Sequence, residues 1–145
     1  MTPTHTESKA STSSIRVLGI DITQSPRREA IAMLRNAVER SDDGPTRSAY
    51  FVNAHSLNEA ADDPAYRSVL NRGDFVFNDG SGVGLAARMQ RKPFPENLCG
   101  TDTVPELLSH LQHSGHRVFL LGGAPGVAAR ALERARWKLP LLNVA

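Results

Sequence analysis

An acidic residue followed by glycines stands directly after an apolar stretch, at residues 78–82. Residues 75–77 form a short apolar stretch just before it, which predicts a buried strand. A carboxylate at the carboxyl end of a strand lies where open α/β sheets bind their ligands, and Gly80 and Gly82 allow a ligand to approach closely. Asp79 is therefore a candidate general base, which would take a proton from an attacking hydroxyl. The alternative is that Asp79 caps the helix that follows.

A second apolar stretch, residues 117–121, also ends in glycines. A helix start after Gly122 and Gly123 would present backbone N–H groups to a phosphate. The segment lacks both the Gly-x-Gly-x-x-Gly pattern and the lysine of a phosphate-binding loop. A plain tight turn into a helix, with Pro125 near the first helical position, explains the same residues, so both interpretations stay open.

Two further polar groups follow apolar residues. Gly100, Thr101 and Asp102 predict the start of a helix, with a hydroxyl or carboxylate as its cap. The same groups are suited to contacts with a sugar or a phosphate. Asn53 follows the apolar residues 49–52 and would either bind a ligand hydroxyl or cap the next helix.

The histidines and the single cysteine give weaker signals. His55 is a candidate acid or base by residue type, but no Asp partner is visible in the sequence, and an exposed loop histidine without one is more often inert. Three histidines lie around a predicted helix end: His110, His113 and His116. The negative end of the helix dipole favours a positive charge there, and a metal site is the less favoured interpretation. Cys99 is expected to be a small buried side chain.

Composition limits the class of protein. A chain of 145 residues with 40% hydrophobic and 22% charged residues fits one globular domain. The net charge of +2 is far below that of a typical nucleic-acid surface, so we expect no nucleic-acid partner. One cysteine excludes an internal disulfide and predicts a reducing, cytoplasmic setting. No apolar run approaches the roughly 20 residues that cross a bilayer, so any membrane contact is expected at its surface.

Periodicity divides the chain into a polar tail, residues 1–14, predicted to be disordered, and one α/β domain, residues 15–145. Strands alternate with helices, which predicts a Rossmann-like, mainly parallel sheet with helices on both faces. The predicted strands are 15–20, 49–52, 75–77 and 117–121, and the predicted helices are 25–40, 57–61, 64–71, 83–90, 104–114 and 127–138.

The last residues, 139–145, predict another strand that stops short, so the fold is expected to be incomplete at its carboxyl end. An uncovered sheet edge favours self-association, and a homo-oligomer is one expectation. Leu139, Leu141, Leu142 and Val144 are expected either to be exposed or to pair with another copy.

Four segments occur in the order and spacing typical of the TagA/WecG/CpsF glycosyltransferases, and the chain resembles that family from about Arg16 to Leu139. The segments are YFVNAHSLN at residues 50–58, DGSG at 79–82, ENLCGTD at 96–102 and VFLLGGAPGV at 118–127. Each is modest alone, but four in register make the resemblance specific.

The resemblance implies an inverting, metal-independent transfer that needs no cofactor. A hexose of the N-acetylmannosamine or glucose type would move from a UDP-sugar to a polyprenyl-diphosphate-linked acceptor. Such reactions build exopolysaccharide, teichoic acid or surface antigens at the inner face of the bacterial cytoplasmic membrane. By this resemblance Asp79 is the catalytic base, Asn53 is the asparagine after the second strand, and Gly122 and Gly123 lie in the turn that holds the donor diphosphate.

The chain departs from the family at two positions and at its carboxyl end. Many members have a threonine where this chain has Phe51, and many have an arginine where it has Asn97. Members also continue with further strands and a Pro-x-Gln-Glu segment, so we expect a carboxyl-terminally truncated form. Two alternatives to catalysis remain: a non-catalytic remnant that binds a nucleotide sugar, and a generic nucleotide-binding module.

Overall fold

The computed structural model describes residues 13–40 and 44–144. Strands and helices alternate through most of these residues, as the sequence predicts. The predicted tail lies almost wholly outside the described residues, and Ser14 already opens the first strand. The strands are β1 (Ser14–Val17), β2 (Ile20–Thr23), β3 (Ala49–Val52), β4 (Phe75–Asn78), β5 (Arg117–Val118) and β6 (Asn143–Val144). The helices are α1 (Arg27–Glu39), α2 (Ala54–Asp62), α3 (Pro64–Asn71), α4 (Ser81–Met89), α5 (Gly100–Leu111) and α6 (Val127–Lys138).

The strands form three small pairs. β3 and β4 are parallel, β5 and β6 are parallel, and β1 and β2 are antiparallel. β2 packs beside β4, so the hairpin and the first parallel pair share one layer. The α/β class with helices around a sheet is therefore confirmed, although each hydrogen-bonded sheet is small.

Helices cover both faces of β4. Because successive strand residues point to opposite sides of the sheet, Val76 and Phe77 belong to different cores. Val76 lies in a core with α2, α3, α4 and the β1–β2 hairpin. Phe77, the next residue, is fully buried against Ala30 and Leu34 of α1 and Leu98, with Leu107 of α5 at the edge. β4 is thus held from both sides, which fixes the position of the residues that follow it.

The predicted first strand, residues 15–20, is wrong as a single element. It is a hairpin whose two turn residues, Leu18 and Gly19, have φ values of 46° and 82°. Positive φ at both central residues is the geometry of a two-residue hairpin turn. The apolar residues on either side continue the same buried face, so the sequence alone did not separate the two strands.

Three predicted boundaries also need correction. α2 begins at Ala54 rather than at 57, because the Asn53 side chain caps the helix there. α5 begins at Gly100 rather than at 104, because the N–H of Thr103 donates to the carbonyl of Cys99 at 2.9 Å and closes an earlier turn. β5 ends at Val118 rather than at 121, since β6 offers it only two partners.

The final segment is less exposed than expected. Leu142 and Val144 are buried, with 6% and 9% of their surface exposed, because β6 pairs with β5. Leu139 is half-buried. Of this group only Leu141, 61% exposed, remains at the surface.

Candidate functional site

The carboxyl ends of the parallel strands β3 and β4 bring Asn53 and Asp79 side by side. Val52 is in register with Asn78, and the N–H of Asp79 donates to the carbonyl of Val52 at 2.8 Å. The Asp79 side chain is half-buried, and among the described residues it makes no hydrogen bond. This carboxylate is therefore held by its backbone while its oxygens stay available to a ligand.

Three helices begin at this same edge. A β-carbon on Gly82, in the first turn of α4, would lie 3.0 Å from the Cβ of Ala54, the first residue of α2. A β-carbon on Gly100, the first residue of α5, would lie 3.3 Å from the ring of Phe51 in β3. The small residues thus allow the amino termini of α2, α4 and α5 to converge beside Asp79.

Two of these helix starts have no side-chain cap. Neither Gly80 before α4 nor Cys99 before α5 provides a capping hydrogen bond. The first N–H groups of both helices therefore lack side-chain acceptors, and the positive ends of their dipoles face the edge where Asp79 lies. Such helix starts favour the binding of anions, above all phosphates.

Asn53 caps α2, as the structural alternative predicts. Its Oδ1 accepts hydrogen bonds from the backbone N–H of Ser56 at 3.0 Å and from the Ser56 hydroxyl at 3.1 Å. The residue is exposed, so the cap orients a side chain that still faces solvent next to Asp79. Its contact with a donor stays a prediction.

Residues 96–98 form a short segment that is hydrogen-bonded to Asn78 at the end of β4. Asn78 donates from Nδ2 to the carbonyl of Glu96 at 3.0 Å, and its own carbonyl accepts from the N–H of Leu98 at 3.0 Å. Between these two anchors, the Oδ1 of Asn97 accepts from the N–H of Gly80 at 2.8 Å. The segment therefore holds the backbone on the far side of Asp79.

Arg27, at the start of α1, donates hydrogen bonds to this segment from both its side chain and its backbone. Its guanidinium donates to the carbonyl of Asn97 at 3.2 Å and lies 3.8 Å from the Asp102 carboxylate. Its backbone N–H also donates to the Glu96 carboxylate. α1 thereby connects the 96–98 segment to the first turn of α5.

The predicted group at the start of α5 lies at the edge, but its polar atoms have local partners. The Thr101 hydroxyl is 3.0 Å from the Cys99 Sγ, and Asp102 faces Arg27. Cys99 is half-buried rather than buried as predicted, because it occupies the exposed N-cap position. Ligand contacts by Gly100, Thr101 and Asp102 stay predictions.

Among the described residues, no hydrogen bond connects the Gly122–Gly123 turn to the Asp79 edge. The turn follows β5, which belongs to a separate strand pair. Gly122 and Gly123 have φ values of 112° and 79°, and a β-carbon on Gly123 would lie 3.0 Å from Val127. Backbone geometry alone thus requires glycine here, and the role in binding a diphosphate stays a prediction.

A cavity lies apart from this edge. It has a volume of about 470 Å³ and opens at the opposite, amino-terminal ends of β3 and β4, between Leu34, Arg47 and Phe75. It contains no residue of the Asp79 edge and is therefore separate from the candidate site. Within residues 13–40 and 44–144, no three His, Cys, Asp or Glu side chains group as a metal site.

Sequence reasoning assigned no role to Asn78 or Arg27 and saw Asn97 only as a departure from a pattern. Their contacts join residues up to 70 positions apart, which no local pattern reveals. The available signal was a polar residue, Asn78, at the end of a strand whose neighbours are apolar.

The sequence is similar to a known family and to proteins with assigned names. Residues 15–145 match the model of the glycosyl transferase WecG/TagA/CpsF family. A relative from Bacillus spizizenii, strain W23, is 33% identical over 87 residues, which cover 60% of this chain and 34% of the relative. A relative from Staphylococcus aureus, strain NCTC 8325, is 24% identical over 143 residues, 96% of this chain and 54% of the relative. Both relatives are named N-acetylglucosaminyldiphosphoundecaprenol N-acetyl-beta-D-mannosaminyltransferase.

Proposed function

Since this chain belongs to the WecG/TagA/CpsF family of glycosyl transferases, we propose that it takes part in transferring an N-acetylmannosamine-type hexose from a UDP-sugar to a polyprenyl-diphosphate-linked N-acetylglucosamine. The names of its relatives supply the sugar and the acceptor. The match covers 54% of the Staphylococcus relative and 34% of the Bacillus relative, so the activity of the whole protein is part of the proposal. The product would serve teichoic acid or exopolysaccharide synthesis.

One observation carries the proposal: the Asp79 carboxylate, which has no hydrogen-bond partner in the described part of the chain, lies where uncapped helix starts converge. In the proposed step Asp79 takes the proton of an acceptor hydroxyl. The hydroxyl oxygen then forms a bond to C1 of the hexose on the face opposite the leaving group. The bond from C1 to the phosphate oxygen breaks, and its electron pair leaves with UDP. Configuration at C1 inverts.

The amino termini of α4 and α5 would receive the negative charge that grows on the leaving diphosphate. Backbone N–H groups fixed in this way stabilise a developing anion without reorganising. Glycines at residues 80, 82 and 100 keep side chains out of the approach. Asn53 would hydrogen-bond a sugar hydroxyl or amide at the same edge.

The departures from the family pattern fit this arrangement. Phe51 packs its ring against Gly100, so it fixes where α5 begins rather than contacting the donor. Asn97 bonds to the N–H of Gly80, so it acts on the protein backbone in a position where many members carry an arginine. The proposal therefore gives donor phosphate contacts to backbone N–H groups.

With a lipid-linked acceptor, the reaction would run at the inner face of the cytoplasmic membrane, and the protein would be attached peripherally. No helix in the described part of the chain has the length and apolarity to cross a bilayer. An acceptor headgroup would then reach the Asp79 edge from the membrane surface.

A transfer assay tests the proposal. The chain is incubated with UDP-N-acetylmannosamine and a short-chain polyprenyl-diphosphate N-acetylglucosamine, and the disaccharide lipid is measured by mass spectrometry. Product at a rate above that of Asp79→Asn supports transfer. The second candidate is donor binding without catalysis, favoured by the helix starts of α4 and α5, which have no side-chain cap and suit a diphosphate. Calorimetric binding of UDP with no product would select that candidate.

A further inference from the structure

The Arg27 guanidinium is the one basic group, among the residues that the structure describes, with a hydrogen bond or an ion pair to the Asp79 edge. Its Nη2 donates to the Asn97 carbonyl at 3.2 Å and lies 3.8 Å from the Asp102 carboxylate. Asn97 also accepts from the N–H of Gly80, just before α4, and Asp102 lies in the first turn of α5. A permanent positive charge therefore lies beside two of the helix starts at this edge.

Arg27 uses little of its capacity for hydrogen bonding. A guanidinium has five N–H donors, and the bond to Asn97 is the one that this side chain makes to another described residue. Its Nε is buried and has no partner in the described part of the chain, and a buried donor without a partner is costly. The side chain as a whole keeps 33% of its surface exposed. Arg27 is thus placed where it can still turn to an anion that arrives from solvent.

Asp102 is a weak partner for this charge. Its side chain is 61% exposed, and the 3.8 Å between the two charged groups is longer than a hydrogen bond. Exposed pairs of this kind stabilise a fold very little, because water and salt screen them. A diphosphate carries more negative charge than a carboxylate, and phosphate oxygens match the fork of guanidinium N–H groups. A diphosphate at this edge would therefore take Arg27 from Asp102.

We propose that Arg27 is shared between Asp102 and the donor, and that it leaves Asp102 to bind the diphosphate. Arg27 would then make the site selective for a diphosphate over a single phosphate. The backbone N–H groups at the starts of α4 and α5 would hold one phosphoryl group, and the guanidinium would hold the other. The inference rests on the proposed function for the location of the donor. Inorganic pyrophosphate needs neither sugar nor acceptor to bind, so the test can succeed while transfer fails, and the reverse.

Inorganic pyrophosphate is the probe, with inorganic phosphate for comparison. Calorimetry on the folded chain should show that pyrophosphate binds more tightly than phosphate. In Arg27→Gln the affinity for pyrophosphate should fall about 10- to 100-fold, the loss expected for hydrogen bonds to a charged group, and the preference over phosphate should disappear. Arg28→Gln removes the adjacent, exposed arginine of α1. This matched control should keep its affinity within about twofold of the parent chain.

Asp102→Asn should act in the opposite direction. Removing the competing carboxylate should tighten pyrophosphate binding about two- to fivefold, the strength of an exposed ion pair. The gain should be lost in the double variant with Arg27→Gln, because the two residues then no longer interact. Glu106→Gln removes another exposed carboxylate of α5 and controls for the general effect of charge. If Arg27 and Asp102 only held the fold together, Asp102→Asn would weaken binding or leave it unchanged.

The Nε–H of Arg27 reports the movement of the side chain directly. Its NMR signal is identified by its absence in Arg27→Lys and should shift when pyrophosphate is added. Arg27→Lys keeps the charge but not the fork of donors, so it should retain part of the affinity and lose the preference for pyrophosphate over phosphate.

Several results would overturn the proposal. One is a folded parent chain that does not bind pyrophosphate, and another is a folded Arg27→Gln that binds it as the parent does. A loss of equal size in Arg28→Gln would show a general charge effect. An Nε–H signal that stays in place at saturating pyrophosphate would locate the anion away from Arg27. If Arg27→Gln does not fold, Asp102→Asn decides: tighter binding supports the sharing of Arg27, and equal or weaker binding contradicts it.

Discussion

The Asn97 side chain accepts a hydrogen bond from the N–H of Gly80 at 2.8 Å, so a loop residue holds the peptide that follows Asp79. On the other side, the N–H of Asp79 donates to Val52 at 2.8 Å. The proposed base therefore stands between two anchored peptides, one fixed by β3 and one by Asn97. This arrangement orients the carboxylate without occupying its oxygens.

Removing the Asn97 acceptor should loosen this peptide. In Asn97→Ala we expect faster hydrogen exchange of the Gly80 amide. We also expect kcat to fall about fivefold with little change in KM for the donor, since one hydrogen bond contributes about 1 kcal/mol. Asn58→Ala, an exposed asparagine on α2, is the matched control. Unchanged Gly80 exchange in Asn97→Ala would show that the bond does not order the site in solution.

Two glycines of the same region should respond oppositely to alanine. Gly80 has φ 92° and ψ 165°, a conformation nearly confined to glycine, so Gly80→Ala should destabilise the fold by about 1–3 kcal/mol. Gly84 lies inside α4, has open space around it and no positive φ, so Gly84→Ala should stabilise by up to about 1 kcal/mol. Urea denaturation midpoints measure both. Equal shifts in the two variants would contradict the backbone assignment.

Asp74, just before β4, should give the fold an acid-sensitive contribution. Burial raises the pKa of Asp74, but the hydrogen bonds from Ser48 and the bond and charge of Arg47 outweigh it, and the net pKa lies below the ordinary 3.8. The ionised form is thus favoured by folding. Its contribution is complete above about pH 5 and is lost as pH falls through 3.8 toward the folded pKa.

Asp74→Asn should therefore lower stability at neutral pH by about 1 kcal/mol and flatten the loss of stability on the acid side. Unfolding free energies measured by urea between neutral and acid pH test this. Asp62→Asn, an exposed carboxylate on α2, is the control. A variant that loses stability with acid as steeply as the parent chain would show that Asp74 is not the responsible group.

Gly123→Val tests the second glycine turn. Its φ of 79° and its closeness to Val127 predict strain whether or not a ligand binds there. If the turn also holds the donor diphosphate, the affinity for UDP should fall at least tenfold in a variant that is still folded. Calorimetry is run beside thermal unfolding. A folded variant with unchanged affinity would confine the role of this glycine to the turn.

The sequence was sufficient for features that depend on local patterns. α1, α3 and α6 end within a residue or two of their predicted bounds because apolar spacing, proline and caps mark them. The β3 bounds, Ala49–Val52, agree fully. Asp79 at a strand end followed from one apolar stretch and the glycines after it.

Features that depend on contacts between distant parts of the chain could not be predicted from the sequence. The split of residues 15–20 into two strands depends on positive φ at Leu18, which an apolar residue gives no reason to expect. The fastening of residues 96–98 to Asn78 and Arg27 joins segments far apart in the chain. Convergence of the α2, α4 and α5 starts required knowing which small residues face one another, as Gly82 and Ala54 do.

The most direct test of the account is Asp79→Asn, with transfer and donor binding measured on the same folded protein. Loss of a general base typically costs roughly 10²–10⁴ in rate, while the uncapped helix starts that would bind the diphosphate are unchanged. We therefore predict that transfer is lost and that UDP-sugar affinity stays within a few fold. Transfer by Asp79→Asn at the rate of the parent chain would contradict the assignment of Asp79 as the base.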